Sequence, residues 1–173
     1  MFKDFDISKF KKMKPPGDNS ITTKNEIKEL KKIPIREKFV NEMDDGEKLF
    51  TKIVGKDPLI GKLISKSLVI INKLKKHFNR PRPAVLAKKL GMELKDIKLK
   101  SMDSPAYPSG HAAQATLLSL ALSDKYPDKK NKLKKLARDI IYSRQVAHTH
   151  YKSDNLMGEK LGKQMYNHIK NKI

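Results

Sequence analysis

Three short segments of the chain carry the residue types that phosphoryl transfer needs. They run from Lys75 to Pro83, from Pro108 to His111 and from Ser143 to Asp154. An arginine binds phosphate oxygens in fork geometry. A histidine can attack phosphorus, and an aspartate can fix the tautomer of that histidine. Together the three segments predict chemistry on a phosphate group.

The first segment combines a lysine with an arginine that is followed by proline. Lys75 and Arg82-Pro83 are separated by six residues, and Lys73 and Arg80-Pro81 have the same spacing, so two registers are open. A proline after the arginine stiffens the backbone and helps to aim the guanidinium group. The alternative interpretation is one more basic stretch in a lysine-rich chain.

The second segment, Pro108-Ser109-Gly110-His111, precedes an apolar, alanine-rich stretch that we expect to be a buried helix. Ser109 can cap this helix, and Gly110 lets the backbone approach an anion closely. The free N–H groups at a helix N-terminus bind anions, and His111 in the first turn would point towards such a ligand. The alternative is an ordinary capped helix with a surface histidine.

The third segment ends an amphipathic helix. Arg144 continues an inner stripe at helical spacing formed by Leu133, Ala137 and Ile140. A buried arginine needs a partner, so we expect an anion, or else a salt bridge to an acid such as Asp154. His150 and Asp154 are four residues apart and can reach each other across a helical turn. We interpret His77 and His148 as surface or packing residues.

The three segments in this order resemble the type 2 phosphatidic acid phosphatase superfamily, and most closely the soluble class A bacterial non-specific acid phosphatases. The shared pattern reads Lys-x6-Arg-Pro, then Pro-Ser-Gly-His, then Ser-Arg-x5-His-x3-Asp. His77-Phe78 and Tyr107 extend the match to class A and favour the register of Lys75 with Arg82. The resemblance covers about residues 58 to 165. Many relatives have glycine where His148 stands, so the turn before His150 is expected to differ.

The resemblance implies a role for each matched residue. His150 would be the nucleophile that forms a phosphohistidine, Asp154 would orient it, and His111 would be the general acid and then the general base. The phosphoryl oxygens would be held by Lys75, Arg82, Ser109, the Gly110 N–H group and Arg144. No cofactor and no metal is expected, although vanadate or phosphate would fit the pocket. Three cations and a helix N-terminus can compensate phosphoryl charge without a metal.

Helices are predicted throughout, which makes the fold class all-α. The resemblance implies a compact helical bundle of the kind found in the type 2 phosphatidic acid phosphatases and vanadium haloperoxidases. We expect a polar arm over residues 1–20 and a single helical phosphatase domain over residues 21–173. The clearest helix begins at Asp57-Pro58 and continues to about Phe78 with apolar residues at alternating steps of four and three. Residues 92–107 are predicted to be a long loop, which in a compact domain often serves function. The remaining predicted helices cover 23–32, 34–43, 47–54, 84–90, 112–124, a stretch from Asp128, and one from about Ser153.

Composition limits the partners. The chain of 173 residues has a net charge of +20 and no cysteine, so disulfides and thiolate chemistry are excluded. The N-terminus lacks a secretory apolar core, and no stretch approaches a membrane span, so a soluble, cytoplasmic protein is expected. Such a charge attracts phosphorylated small molecules, anionic membranes and, weakly and without specificity, nucleic acid. The resembling family also makes a homo-oligomer possible.

Four functions are compatible with these observations. The leading one is a soluble, metal-independent acid phosphatase that hydrolyses phosphate monoesters. The second keeps this chemistry but acts on a lipid phosphate or a pyrophosphate at an anionic membrane surface. A vanadium haloperoxidase is the third, although the chain is short for that group. The fourth is a non-catalytic, basic nucleic-acid-binding protein, which the 6% aromatic content and the lack of a known nucleic-acid module disfavour.

Overall fold

The fold is all-α, as predicted, in a computed structural model that describes residues 1–173. Nine α-helices and two short 3₁₀ turns follow one another without a strand. The helices are α1 Ser8–Lys11, α2 Ile21–Lys32, α3 Glu37–Glu42, α4 Gly46–Val54, α5 Pro58–Phe78, α6 Pro83–Lys89, α7 Gly110–Lys125, α8 Lys130–Val146 and α9 Lys152–Ile169. The 3₁₀ turns cover Lys100–Asp103 and Pro127–Lys129.

The long helices begin and end where local chemistry dictates. Asp57 accepts a hydrogen bond from the Leu59 N–H group and Pro58 occupies the first turn, so α5 starts there. It ends at Asn79, whose φ of 47° lies in the left-handed region that asparagine tolerates. Pro81 and Pro83 then prevent helix until α6. The result is a rigid corner that carries Arg80 and Arg82.

Helix α7 lies at the centre of the bundle and packs against α5, α8 and α9. Buried residues occur all round it, from Ala112 and Ala113 to Leu122, as expected of a helix enclosed by others. Its alanines let α9 approach closely. Because α7 begins at the second segment and α9 begins just after His150, this contact sets the position of two parts of the predicted site.

Residues 1–20 pack on the bundle through aromatic side chains. Phe10 is buried in the main core, and its ring stacks on Phe5 with 5.7 Å between centroids. The hydroxyl of Tyr107 donates to the Met13 carbonyl oxygen at 2.7 Å. This segment therefore lies against the residue that directly precedes the Pro-Ser-Gly-His segment.

Candidate active site

The three segments meet at the N-terminal end of α7. The Ser109 N–H group donates to the Asp154 carbonyl oxygen at 3.0 Å, which joins the second segment to the third. A Cβ atom placed on Gly110 would lie 3.9 Å from Cε of Lys75, so the first segment is adjacent as well. Nζ of Lys75 donates to the Pro105 carbonyl oxygen at 2.6 Å. All eight predicted site residues belong to this region.

His150 lies in the turn between α8 and α9, with hydrogen-bond partners on both ring nitrogens. Nδ1 is 3.0 Å from Oδ2 of Asp154, and Nε2 is 2.9 Å from Nη1 of Arg82. Because a guanidinium group can only donate, Nε2 carries the lone pair and Nδ1 carries the proton. Burial, together with the charges of Arg82 and Lys75, holds the pKa of His150 well below its usual range. The ring is therefore neutral, and its tautomer leaves the lone pair on Nε2, where Arg82 donates to it.

Asp154 is fully buried and receives donors on both carboxylate oxygens. Besides His150, the backbone N–H of Tyr151 donates to Oδ2 at 3.0 Å, and Nη1 of Arg80 donates to Oδ1 at 2.7 Å. Burial raises the pKa of Asp154 to about 6, while Arg80 opposes this rise. At pH 7 the group is an anion that holds the tautomer of His150 and stabilises any positive charge that develops on it.

Arg82 has all five of its N–H groups engaged. Besides His150, its partners are the Ser104, Thr149 and Ser101 carbonyl oxygens at 2.9 to 3.0 Å and Oγ of Ser104 at 3.5 Å. Ser101 and Ser104 belong to the long loop that follows α6. The loop thus holds the guanidinium against His150, and any ligand that bound Arg82 would have to replace some of these acceptors.

Lys75 supplies a second cation from the last turn of α5. Its side chain is only 6% exposed, and its ammonium group donates to the Pro105 carbonyl oxygen and to Oγ of Ser104. Burial, with a smaller contribution from the charge of Arg82, lowers the pKa of Lys75 to about 7. Lys73, from the alternative register, is exposed on the other side of the same helix.

Arg144 points inward as its stripe on α8 predicted, and it is 1% exposed. The alternative that the sequence left open, a salt bridge to an acid, is present, but the acid is not Asp154, because Asp154 pairs with Arg80 and His150. Instead Nη1 of Arg144 donates to Oδ1 of Asp44 at 2.9 Å, across the loop between α3 and α4. Nη2 of Arg144 is buried and has no hydrogen-bond partner. A buried donor without an acceptor is costly, and a phosphoryl oxygen is the kind of group that would satisfy it.

His111 extends from the first turn of α7, where Oγ of Ser109 accepts from the Ala112 N–H group as the cap predicted. Nε2 of His111 donates to the Asp44 carbonyl oxygen at 2.9 Å and lies 3.3 Å from Oδ1 of the same residue. The hydrogen bond from His111, with the charges of His111 and Arg144, lowers the pKa of Asp44 to about 2 against the effect of burial. Asp44 is therefore a permanent anion beside the predicted general acid.

A cavity of about 320 Å³ opens beside His111, and His150 does not line it. Apolar side chains form one part of it and carboxylates form another. The residues that define its character are Glu47, Phe50, Ile64, Gln114, Leu118 and Ile140. It is large enough for the organic part of a small phosphate ester.

Sequence reasoning missed two residues that complete the site. Arg80, considered only as an alternative register, binds Asp154 and places its guanidinium carbon 3.7 Å from the centroid of the Tyr151 ring. Its position between Asn79 and Pro81, two residues before Arg82, was the available signal. Asp44 had no comparable signal, because it lies 100 residues from Arg144 in an unremarkable turn.

The profile of one protein family matches this chain. The model described as the PAP2 superfamily matches residues 59–165, which hold all three segments. The chain belongs to the PAP2 superfamily. The resemblance to the type 2 phosphatidic acid phosphatases predicted from the three segments is thereby confirmed.

Two bacterial relatives of this chain are non-specific acid phosphatases. The enzyme of Salmonella typhi is 34% identical over 88 residues, and that of Salmonella typhimurium strain LT2 is 33% identical over 88 residues. Each alignment covers 51% of this chain and 35% of the relative. The aligned part of the chain thus spans about a third of the length of these relatives.

Among solved structures, the chain is similar to a transmembrane PAP2-type phosphatidylglycerolphosphate phosphatase from Bacillus subtilis. The match has a TM-score of 0.49 and 19% identity, and it covers 95% of this chain and 81% of that one. In the present chain, none of the helices combines the length and the apolar content needed to cross a bilayer.

Proposed function

We propose that this PAP2 protein is a metal-independent phosphatase that hydrolyses phosphate monoesters through a phosphohistidine on His150. The observation that carries the proposal is the protonation state of that ring. Its partners leave the lone pair on Nε2, and its low pKa keeps it neutral. Lys75, Arg82, His111 and Arg144 all act on the ring through their charges, so the nucleophile is surrounded by groups that favour an anionic substrate.

In the first step, Nε2 of His150 attacks phosphorus with its lone pair, and the bond to the leaving oxygen breaks. The electron pair of that bond remains on the oxygen, which takes the proton of His111. The leaving oxygen must compete with the Asp44 carbonyl oxygen for this proton, since that oxygen accepts from Nε2 of His111 in the structure. Asp154 stabilises the positive charge on the phosphorylated ring.

In the second step, a water molecule attacks the phosphohistidine. His111, now neutral, accepts a proton from the water, the P–N bond breaks, and its electron pair returns to Nε2 of His150. Arg82, Lys75, the unpaired Nη2 of Arg144 and the N-terminus of α7 compensate the charge on the phosphoryl oxygens. The cavity beside His111 is placed to receive the leaving group.

The test uses p-nitrophenyl phosphate with excess EDTA. We expect hydrolysis to persist in EDTA, to be blocked by vanadate, and to leave an acid-labile, base-stable phosphoryl group on the protein after rapid quenching. His150→Ala should abolish both turnover and labelling, because it removes the imidazole whose Nε2 forms the phosphohistidine in this proposal. The natural control is His77→Gln, since His77 is exposed and its ring makes one hydrogen bond, at 3.3 Å, with the Lys11 carbonyl oxygen.

Activity that is unchanged in His150→Ala would overturn the proposal. Turnover that disappears in EDTA and returns with a divalent cation would overturn its metal independence. Labelling on a residue other than His150 would show that His150 is not the nucleophile, although the protein would still be a phosphatase.

A lipid phosphate or a pyrophosphate at an anionic membrane surface is the second candidate substrate. One observation favours the lipid: Leu68 and Val69 are 45% and 55% exposed on α5, next to the exposed Lys66 and Lys73. Apolar side chains between lysines are suited to the headgroup region of an anionic bilayer. Comparing rates on a short-chain soluble phosphate and on the same headgroup in vesicles separates the two candidates.

A further inference from the structure

His148 occupies the turn that carries the proposed nucleophile, two residues before it. Its φ of 56° lies in the left-handed region, which is disfavoured for a residue with a Cβ atom. The side chain is 5% exposed. A strained, buried histidine persists only where its surroundings hold it in place, so its contacts need an explanation.

Both ring nitrogens of His148 contact backbone carbonyl oxygens of distant segments. Nδ1 is 2.7 Å from the Lys95 oxygen, in the long loop after α6. Nε2 is 2.8 Å from the Ile33 oxygen, at the C-terminal end of α2. The ring thus joins the nucleophile's turn to two segments that contribute no other predicted catalytic residue.

These two contacts fix the number of protons on the ring. A carbonyl oxygen accepts hydrogen bonds and cannot donate one, whereas a neutral imidazole has a single N–H group. A neutral ring would place the lone pair of one nitrogen against a carbonyl oxygen at less than 3 Å. Only the imidazolium form satisfies both contacts.

The loop that contains Lys95 also contacts residues of the proposed site. The Ile97 N–H group donates to the Ala147 carbonyl oxygen at 3.2 Å, directly beside His148. Farther along, the Ser101 and Ser104 carbonyl oxygens hold the guanidinium group of Arg82. Releasing the loop at Lys95 would therefore loosen one side of the phosphate site.

Charged groups of both signs lie on the segments packed around His148. Among them is Asp96, whose side chain is only 9% exposed and whose charge acts on Arg82. The charged and titratable residues of these segments are Lys32, Arg36, Glu37, Lys38, Glu42, Glu93, Lys95, Asp96, Lys98 and Arg144. Loop protection must therefore be compared with the measured protonation state of the ring itself and not with a fixed pH.

We propose that His148 is a positioning residue that, as an imidazolium, clamps the long loop and the end of α2 onto the turn that carries His150. Loss of one ring proton breaks one of the two contacts and loosens the loop. The clamp itself is independent of the chemistry at His150, while its effect on catalysis rests on the proposed phosphatase function.

The test follows one ring and one amide by NMR across pH 5 to 8. The ring nitrogens of His148, assigned by their absence in His148→Gly, report its protonation, and the exchange protection of the Ile97 amide reports the loop. After correction for intrinsic exchange, we expect protection to fall in the pH range where His148 loses a proton. In His148→Gly, protection should be at least tenfold lower at pH 5 and independent of pH.

Two variants distinguish loss of the His148 contacts from misfolding of the chain. Glycine adopts the left-handed backbone without strain, so His148→Gly removes the clamp and leaves the turn intact. His77→Gln removes an exposed histidine and should leave both the protection of Ile97 and its pH dependence unchanged. Protection that stays constant while the His148 ring titrates would overturn the proposal, as would a pH dependence that survives in His148→Gly.

Kinetics then separate the clamp from the proposed function. If the chain hydrolyses phosphate esters, His148→Gly should lower kcat several-fold at acid pH and flatten that limb of the pH profile. A chain without phosphatase activity would sink the proposed function, yet the Ile97 measurement would still decide the clamp. An active enzyme whose kcat and pH profile are untouched by His148→Gly would overturn the positioning role.

Discussion

Lys75 and Asp44 bring opposite charges to the site, and folding affects them in opposite ways. Burial disfavours the charged form of Lys75, and its pKa is lowered to about 7. The partners of Asp44 keep it ionised, and its pKa is lowered to about 2. Each residue therefore predicts a different pH dependence.

Lys75→Met should weaken inhibition by vanadate roughly tenfold or more, because one cation is lost from the site. It should also raise Tm near pH 6, since a buried charge is removed. The unfolded chain binds more protons than the folded one between about pH 7 and the ordinary lysine value of 10.5, so this lysine makes stability rise with pH across that window. Vanadate inhibition and Tm between pH 6 and 9 measure both effects.

Lys73→Met is the matched control, because Lys73 lies on the exposed side of the same helix. It should leave both quantities unchanged. A loss of vanadate inhibition in Lys73→Met, with none in Lys75→Met, would show that the other register forms the site.

Asp44→Asn should reduce kcat roughly tenfold, because the carboxylate that contacts both His111 and Arg144 is lost. Asp44 stabilises the fold above its ordinary value of 3.8, and this contribution is lost as pH falls through about 2. The Tm difference from the parent chain should therefore be present at pH 5 and vanish near pH 2.

Asp45→Asn serves as the control for Asp44→Asn. Its side chain accepts from the Lys48 N–H group and caps α4, but it makes no hydrogen bond with His111. An unchanged kcat in Asp44→Asn, or an equal loss in Asp45→Asn, would contradict the role given to Asp44.

Local spacing made part of the site predictable. Ser109 as a cap and the pairing of His150 with Asp154 follow from distances of three and four residues along a helix. The partner of Arg144 could not be predicted, because Asp44 reaches it only through the packing of α4 on α8. Periodicity shows that a side chain points inward, but it does not identify the group that it meets there.

At the scale of elements, the contact between α7 and α9 joins two parts of the site. A Cβ atom on Gly158 would lie 2.5 Å from the Ser109 carbonyl oxygen, and one on Gly162 would lie 2.4 Å from that of Ala113. Both distances are shorter than real Cβ contacts, so only glycine permits this packing. The two glycines therefore set how closely α9 approaches the start of α7, where Ser109 lies.

Gly158→Ala should lower both Tm and kcat, although alanine favours helix over glycine by about 1 kcal/mol. Overpacking at this contact is expected to cost about 1–3 kcal/mol, and it displaces Ser109 relative to His150. Thermal melting and steady-state kinetics measure the two effects.

Gly61→Ala is the corresponding control within α5. Its Cβ atom would meet only the end of the flexible Glu47 side chain, at 3.4 Å. This variant should be neutral or slightly stabilising. A more stable Gly158→Ala protein with full activity would contradict the close packing of α7 on α9.

The helices themselves were predictable, because their caps, prolines and periodic faces are local. The prediction of a long helix from Pro58 to about Phe78 is confirmed, and residues 92–107 form a loop with one short 3₁₀ turn. The helix expected from Asp128 begins instead at Lys130, after a 3₁₀ turn at Pro127–Lys129. Likewise, α3 begins at Glu37 and not at Pro34. Both differences lie at helix starts next to proline, where the first turn has competing geometries.

For the whole molecule, the net charge of +20 predicts attraction to any anionic surface. We expect the protein to co-sediment with vesicles rich in phosphatidylglycerol at low salt and to be released as salt rises above about 0.1 M, where the Debye length is about 10 Å. Phosphatidylcholine vesicles are the control and should not bind. Binding to anionic vesicles that persists in 1 M salt would show that apolar residues such as Leu68 and Val69 insert into the bilayer.

The hydrogen bond from Arg82 to Nε2 of His150 has a consequence for chemical selectivity. A lone pair that accepts from a guanidinium group is a poor target for neutral electrophiles, such as acylating or alkylating reagents. A phosphate ester carries the negative charge that can draw Arg82 away, so the compound that frees the lone pair of the proposed nucleophile is also the one that it would attack. We therefore expect His150 to react slowly with neutral reagents when no anion is bound, so that its reactivity depends on the charge of the molecule that enters the site.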